Sequence, residues 1–195
     1  ATPGLRDYQK DAIKAYEDGI DKGKREMLLA MATGTGKTFT TVNLVYRMLA
    51  STYAKRILFL VDRKSLAAQA VTAFASFDTP RNIKFKDEYE LYSQKFRRDD
   101  FDDEPYDPNV LPNSYLTNPD NSKTFLYVCT IQRMAINLYG RAAAFGEEAE
   151  GDDESDAETL QIPSHAFDLI IADECHRGYT SKETNVWRNV LNHFD

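Results

Sequence analysis

The sequence predicts an α/β fold with a doubly wound parallel sheet. Two observations carry this. Apolar runs of strand length alternate with segments of helical periodicity, and the runs end in charged, hydroxyl or amide groups, as strands do when a site collects beyond their carboxyl ends. A third observation adds a phosphate-binding loop: an apolar run enters a glycine-interrupted turn that delivers a lysine and a threonine to the next helix. At 195 residues the chain can bury one sizeable core. Residues 1–195 are therefore read as one domain, with insertions at about 78–123 and 145–163.

The elements follow in order. Residues 5–23 read as an amphipathic helix, with Leu5, Tyr8, Ala12, Ala15, Tyr16 and Ile20 at steps of three and four and Gly23 as a stop. Arg6 and Gln9 share its first turn and can face one small ligand. Residues 27–31 read as a short buried strand. The stretch Met31-Ala32-Thr33-Gly34-Thr35-Gly36-Lys37-Thr38 comes next. Its glycines let main-chain N–H groups approach phosphate oxygens, and the following helix adds its unpaired N–H groups and positive dipole end. Lys37 is placed to reach the β- and γ-phosphates and the Thr38 hydroxyl to ligate Mg2+. Met31 stands where the usual pattern has glycine.

A helix over 37–50 is predicted, with Val42, Val45, Tyr46 and Leu49 on its core face. Residues 57–61 form a continuous apolar run, as a strand covered on both faces requires. Arg63 and Lys64 follow it, and Ser65 is the expected N-cap of a helix reaching about residue 77. From 78 to 123, five prolines punctuate the chain. A strand near 83–85 and a helix near 89–96 are expected there, the rest being irregular. Residues 124–129 read as a strand, followed by Thr130, Ile131 and Gln132 opening a helix. The last strand, 167–172, ends in Asp173, Glu174, Cys175 and His176, and a helix over 183–194 closes the chain.

The net charge of −7 hides an uneven distribution. Residues 99–107 carry six acids and no base, and residues 147–158 carry eight acids and no base. Outside these blocks, 24 lysines and arginines face 17 acids, so the body is basic. The two acidic blocks read as solvated loops, or as shields over a basic surface when no polyanion is bound. Cys129 and Cys175 lack metal-ligand spacing and read as reduced, buried thiols. No run approaches the roughly 20 apolar residues of a membrane span, and no signal segment opens the chain, so a soluble, cytoplasmic protein is expected.

The chemistry lies in the pairing of the loop with the acidic strand end. Asp173 can hold the Mg2+ that Thr38 also touches, and Glu174 can orient and deprotonate an attacking water. These motifs, with Arg6-Asp7-Tyr8-Gln9, Asp62-Arg63 and Thr130-Ile131-Gln132, resemble in order the conserved set of superfamily 2 helicases and translocases. Met31 through Thr38, Phe59-Leu60-Val61-Asp62-Arg63 and Asp173-Glu174-Cys175-His176-Arg177-Gly178-Tyr179 are most similar to the motor (R) subunits of type I restriction enzymes, where methionine at the start of the loop is familiar.

The resemblance implies a RecA-like P-loop ATPase lobe that binds ATP with Mg2+ through Thr33, Gly34, Thr35, Gly36, Lys37 and Thr38. It implies adenine recognition by Arg6 and Gln9, and catalysis by Lys37, Asp173, Glu174 and His176, the last coupling the site to a second lobe. It places Arg63, Lys64, Thr130 and Gln132 near a DNA backbone. It further implies double-stranded DNA, specificity and methyltransferase subunits and a second motor lobe as partners, the nuclease domain and second lobe lying outside this chain. Without that lobe's arginines, this chain is expected to hydrolyse ATP weakly. Two other readings stand beside the translocase: another superfamily 2 enzyme such as a repair helicase, and an ATP-binding regulatory module.

Overall fold

Residues of β1 (Arg56–Val61) send their side chains alternately to two separate cores, and this alternation organises the molecule. The computed structural model describes residues 4–101, 108–145, 154–175 and 180–195. Ile57, Phe59 and Val61 join one core, with α1 (Asp7–Asp21), α2 (Lys37–Ala50) and α3 (Lys64–Ser76). Leu58 and Leu60 join the other, under α6 (Ile131–Tyr139) and α8 (Ser181–His193). All six β1 residues are buried. Burial on both faces is why the strand reads as an unbroken apolar run.

The sheet has five strands in the order β3-β2-β4-β1-β5, and every pairing is parallel. β4 is Phe125–Thr130 and β5 is Leu169–Ala172. Arg56 pairs with Phe125 and Ile57 with Leu169, so β4 and β5 flank β1 in register. The doubly wound parallel sheet expected from the sequence is the architecture observed.

Several local expectations change. The 78–123 segment is partly woven into the sheet: it supplies β2 (Glu90–Ser93) and β3 (Asn109–Val110), and short helices α4 (Phe85–Glu88) and α5 (Asn113–Thr117). The expected strand at 83–85 and helix at 89–96 are exchanged in order, because Glu90–Ser93 finds a parallel partner in β4, beginning with Glu90 opposite Phe125. Pairing along an existing strand outweighs weak local propensity.

The expected strand at 27–31 forms no ladder. Its residues alternate between half-buried and exposed with the period of a strand, Leu28 being 81% exposed and Leu29 packed against the first core. The segment has an amphipathic strand's side chains but no paired backbone, since the sheet ends at β5.

Helix ends differ in detail. α2 matches its expected limits, and Val42, Val45, Tyr46 and Leu49 are all buried. On α1 the buried positions are Gln9, Ile13 and Gly19, whereas Tyr8 and Ala15 are exposed. Arg63, not Ser65, is the N-cap of α3. Cys129 is fully buried, and burial pushes its thiol pKa well up. Cys175 is exposed, against expectation, because it lies beyond the end of β5. Short α7 (Arg141–Phe145) follows α6. His176, Arg177, Gly178 and Tyr179 lie outside the described residues, as do parts of both acidic blocks. No helix among the described residues is long and apolar enough to cross a membrane.

Candidate nucleotide-binding site

Four pieces of chain meet here: the first turn of α1, the glycine loop, the start of α2 and the turn after β5. Gly34 and Gly36 both take φ of 77°. A Cβ on Gly34 would meet nothing within 4 Å, so backbone conformation alone calls for glycine there. A Cβ on Gly36 would sit 2.6 Å from Gln9 Nε2, so its bare backbone is what lets Gln9 reach the loop. Gly36 also caps α2, and no side chain takes up the helix's first N–H groups. A 14-residue helix therefore directs its N-terminal donors and positive dipole end at the loop.

The loop is braced from two sides. Within it, Thr35 donates to Ala32 O from its N–H at 3.3 Å and from Oγ1 at 2.6 Å. From α1, Tyr8 Oη donates to Thr35 O at 2.9 Å, and Gln9 Nε2 donates to Thr35 O and Gly36 O at 3.2 Å each. Gln9 Oε1 accepts from Arg6 N at 2.9 Å, and Arg6 Nη1 donates to Tyr8 Oη at 3.2 Å. Gln9 is 3% exposed, with both amide hydrogens committed to loop carbonyls. To recognise adenine through those hydrogens, it must release the loop. Tyr8, assigned from periodicity to the core face, is instead a strut on the loop. The available signal was its phenolic oxygen, next in sequence to Gln9 and in the turn expected to face the site.

Lys37 joins the loop to the end of β5. Its Nζ donates to Glu174 Oε1 and lies 3.4 Å from Asp173 Oδ1. Asp173 N still donates to Leu60 O at 2.9 Å, so the ladder runs one residue past β5. Glu174 then takes φ of 58°, a left-handed conformation costing a non-glycine residue roughly 1–2 kcal/mol. That turn at the end of the strand brings both consecutive carboxylates to Lys37. Partial burial works to lower the Lys37 pKa, but the hydrogen bond to Glu174 and the charges of both acids outweigh it and hold the pKa above its ordinary value.

The donor set fits a magnesium nucleotide. Among the described residues no group of three histidine, cysteine or acidic side chains could hold a metal alone. Mg2+ bound with a nucleotide uses one or two carboxylates plus phosphate oxygens. One threonine hydroxyl, one aspartate and a phosphate cradle make such a set, with Thr38 adjoining Lys37 and Asp173 facing it.

The other expected residues are spread along the carboxyl edge. Thr33 and Thr38 are exposed on the loop and on α2. Arg63 is exposed, its guanidinium 3.6 Å from Asp62 Oδ2, and Lys64 begins α3. Gln132 is half-buried in the first turn of α6. Thr130 caps α6 by accepting from Arg133 N at 3.1 Å. It is 1% exposed, and its hydroxyl donates to Glu154 at 2.8 Å. The structure thus assembles the loop, Gln9, Lys37, Asp173 and Glu174 in one place, and covers Thr130 with an acid from the second acidic block.

Comparison with known proteins gives the chain its relatives. The family model described as "Type III restriction enzyme, res subunit" matches residues 2–195. The endonuclease subunit of the type I restriction enzyme EcoKI from Escherichia coli K12 is 35% identical over 98% of this chain and 14% of its own length. The EcoAI endonuclease subunit from E. coli is 29% identical over 97% of this chain and 18% of its own. UvrABC system protein B from Staphylococcus aureus Mu50 is 37% identical over 86 residues, 44% of this chain. Among solved structures, a nuclease-deletion mutant of the type ISP restriction-modification enzyme LlaGI, in complex with a DNA substrate mimic, shares the fold. Its TM-score is 0.50 and its identity 22%, over 95% of this chain and 16% of that one. The chain thus spans less than a fifth of the length of these restriction-enzyme relatives.

Proposed function

The chain belongs to the restriction-enzyme res-subunit family, a helicase-like group, and from that premise we propose that it is the ATP-holding motor lobe of a double-stranded DNA translocase within a type I restriction endonuclease subunit. The observation that supports this best is the ammonium of Lys37, held by Asp173 and Glu174 at the mouth of the glycine loop. Binding ATP exchanges the carboxylate partners of Lys37 for β- and γ-phosphate oxygens. The free N–H groups of α2 and of the loop take the remaining phosphate charge. Thr38 and Asp173 would hold Mg2+, which when bound offsets charge on the phosphates. Released from Lys37, the Glu174 carboxylate accepts a proton from the attacking water.

Arg6 and Gln9 read adenine in this scheme, with Gln9 trading its loop contacts for the base. His176 is assigned the coupling to a second lobe. DNA runs along the carboxyl edge past Arg63, Lys64, Thr130 and Gln132. The rest of the polypeptide supplies the second motor lobe, and the intact protein works in the cytoplasm with specificity and methyltransferase subunits. This chain alone then hydrolyses ATP slowly, because an arginine from another lobe contributes about 10³–10⁵ in rate. The repair-helicase alternative is less well supported, since the likeness to UvrB covers less than half of the chain.

The test is nucleotide binding in the full-length polypeptide, followed by fluorescence of a labelled ATP analogue. Lys37→Ala should abolish binding at nucleotide concentrations that saturate the unmodified protein. Undiminished affinity in a folded Lys37→Ala protein removes the loop as the nucleotide site.

A further inference from the structure

Glu154 is a buried carboxylate with an unusual set of neighbours. It is 6% exposed, and it belongs to the second acidic block, remote in sequence from the groups that hold it. Gln94 Nε2 donates to Oε1 at 2.9 Å and lies 3.0 Å from Oε2, while Thr130 Oγ1 donates to Oε1 at 2.8 Å. Arg133 Nη1 lies 3.6 Å from Glu154 Oε2 and 3.0 Å from Asp156 Oδ1. The first is beyond hydrogen-bonding distance and the second is poorly aligned, so this Nη1 makes ion pairs without a well-directed hydrogen bond although Arg133 is only 9% exposed. Arg141 Nη2 donates to the Glu154 carbonyl at 2.6 Å.

Gln94 and Thr130 are held by contacts of their own besides Glu154. Gln94 continues β2, its N–H donating to Val128 O at 3.2 Å and its Oε1 accepting from Thr130 N at 2.8 Å. Its amide hydrogens are thereby aimed at the end of β4. Thr130 is fixed as the cap of α6, a nine-residue helix whose dipole adds positive character. An amide, a hydroxyl and a guanidinium converging on one point are what an oxyanion of any origin would need. The carboxylate there is a costly way to fasten a loop, since desolvating an ion pair offsets much of its attraction. Asp156 strengthens the pattern. Burial acts to raise its pKa, and Arg133, with help from Lys64, overrides that and holds it below the ordinary value. Two of the residues expected to meet DNA, Lys64 and Thr130, therefore already face acids of the same short segment.

We propose that Gln94, Thr130 and Arg133 form an oxyanion site for a backbone phosphate of duplex DNA, and that Glu154 sits in it as a built-in competitor which DNA must displace. This rests on the DNA-motor reading above. Glu154 and Asp156 together keep the basic edge neutral until a polyanion takes their place.

The experiment measures binding of a labelled duplex to the full-length polypeptide across a salt series, for the unmodified protein, Glu154→Gln, Asp156→Asn, and Glu154→Gln combined with Arg133→Gln. Glu154→Gln should tighten binding by about tenfold. It should also steepen the slope of log affinity against log salt by about one, because Arg133 no longer gives up an internal partner when it meets phosphate. Asp156→Asn should shift both in the same direction by less, and Arg133→Gln should cancel the gain. A Glu154 that merely anchors the segment predicts a lower melting temperature with affinity and slope unchanged or weakened, and that result overturns the proposal. If Glu154→Gln does not fold, Asp156→Asn decides by the same two readouts. Absence of duplex binding at low salt in both the unmodified protein and Glu154→Gln defeats the DNA reading itself. Binding that is equal in the two defeats only the competitor.

Discussion

The two ends of the sheet each hold a cation against carboxylates, and they do so in opposite ways. At the amino end, Arg56 Nη2 meets Asp168 Oδ1 at 2.9 Å, and Asp168 Oδ2 also accepts from the backbone N–H groups of Lys55 and Arg56 at 3.0 and 2.9 Å. The Arg56 side chain is 7% exposed. This pair ties the chain entering β5 to the chain entering β1 and leaves Asp168 few lone pairs for anything else. At the carboxyl end, Lys37 meets two acids, one of them on a left-handed residue, and the Lys37 side chain is 29% exposed. The first pair is multiply anchored and structural. The second stands open to solvent at the mouth of the loop, where a phosphate can replace it. An ion pair beside a site reads as functional when an incoming ligand can reach its cation, and the exposure of that cation measures this.

The largest expected effect tests the releasable end. Glu174→Gln in the full-length polypeptide should lower ATP hydrolysis by about 10²–10⁴-fold, the usual contribution of a general base, while nucleotide binding persists. Retained turnover, read by phosphate release, would remove Glu174 as the base and weaken the contrast.

The anchored end should fail in stability instead. Asp168→Ala leaves the Arg56 guanidinium buried without its partner, which for a fully enclosed pair costs about 3–5 kcal/mol. Since the Asp168 side chain is 32% exposed, solvent screening reduces this to roughly 2–3 kcal/mol. Chemical denaturation should report that loss with nucleotide affinity unaltered. A comparable loss of affinity would mean that the two ends are not independent.

The smallest effect is in pH dependence, and the two ends should respond at opposite extremes. Burial works to raise the Asp168 pKa, and the hydrogen bonds from Arg56 and from two backbone N–H groups overcome it, so the folded value lies below the ordinary 3.8. Its contribution is complete above the unfolded value and is lost as pH falls through the folded one. The folded pKa of Lys37 lies above 10.5, so its contribution is complete below that value and is lost as pH rises through the folded pKa. Melting temperatures across pH should lose their acid-side step in Asp168→Ala and their alkaline step in Lys37→Ala. Persistence of either step in its own variant would assign it to other groups.

What was legible in the sequence follows the same division between local and long-range causes. α2, β1 and β4 were readable because a strand covered on both faces must be apolar throughout and a helix must repeat its core face. Lys37, Asp173 and Glu174 could be brought together on paper because parallel topology delivers strand ends to one edge. Gln9 was legible as a residue near the loop and Tyr8 was assigned to the core, but neither was legible as a strut, since that depends on where Thr35 and Gly36 point their carbonyls. The exchanged order at 83–96 turned on a partner strand more than thirty residues away. Glu154 was invisible as an individual, because one acid among eight carries no local mark of the amide and hydroxyl that receive it. The run at 27–31 misled for the converse reason: its pattern is that of a strand, but a strand requires a neighbour.

That missing neighbour bears on how the polypeptide behaves in solution. Among the described residues β5, Leu-Ile-Ile-Ala, pairs with β1 alone, and Leu28 is largely exposed in the chain leading to the loop. A short apolar strand with an open rim is a template on which another extended segment can crystallise its own backbone. Concentrated samples of this chain by itself will therefore tend to stick through that rim. Covering it, by a companion strand or by a lysine at Leu28, is the first step in keeping the protein monodisperse.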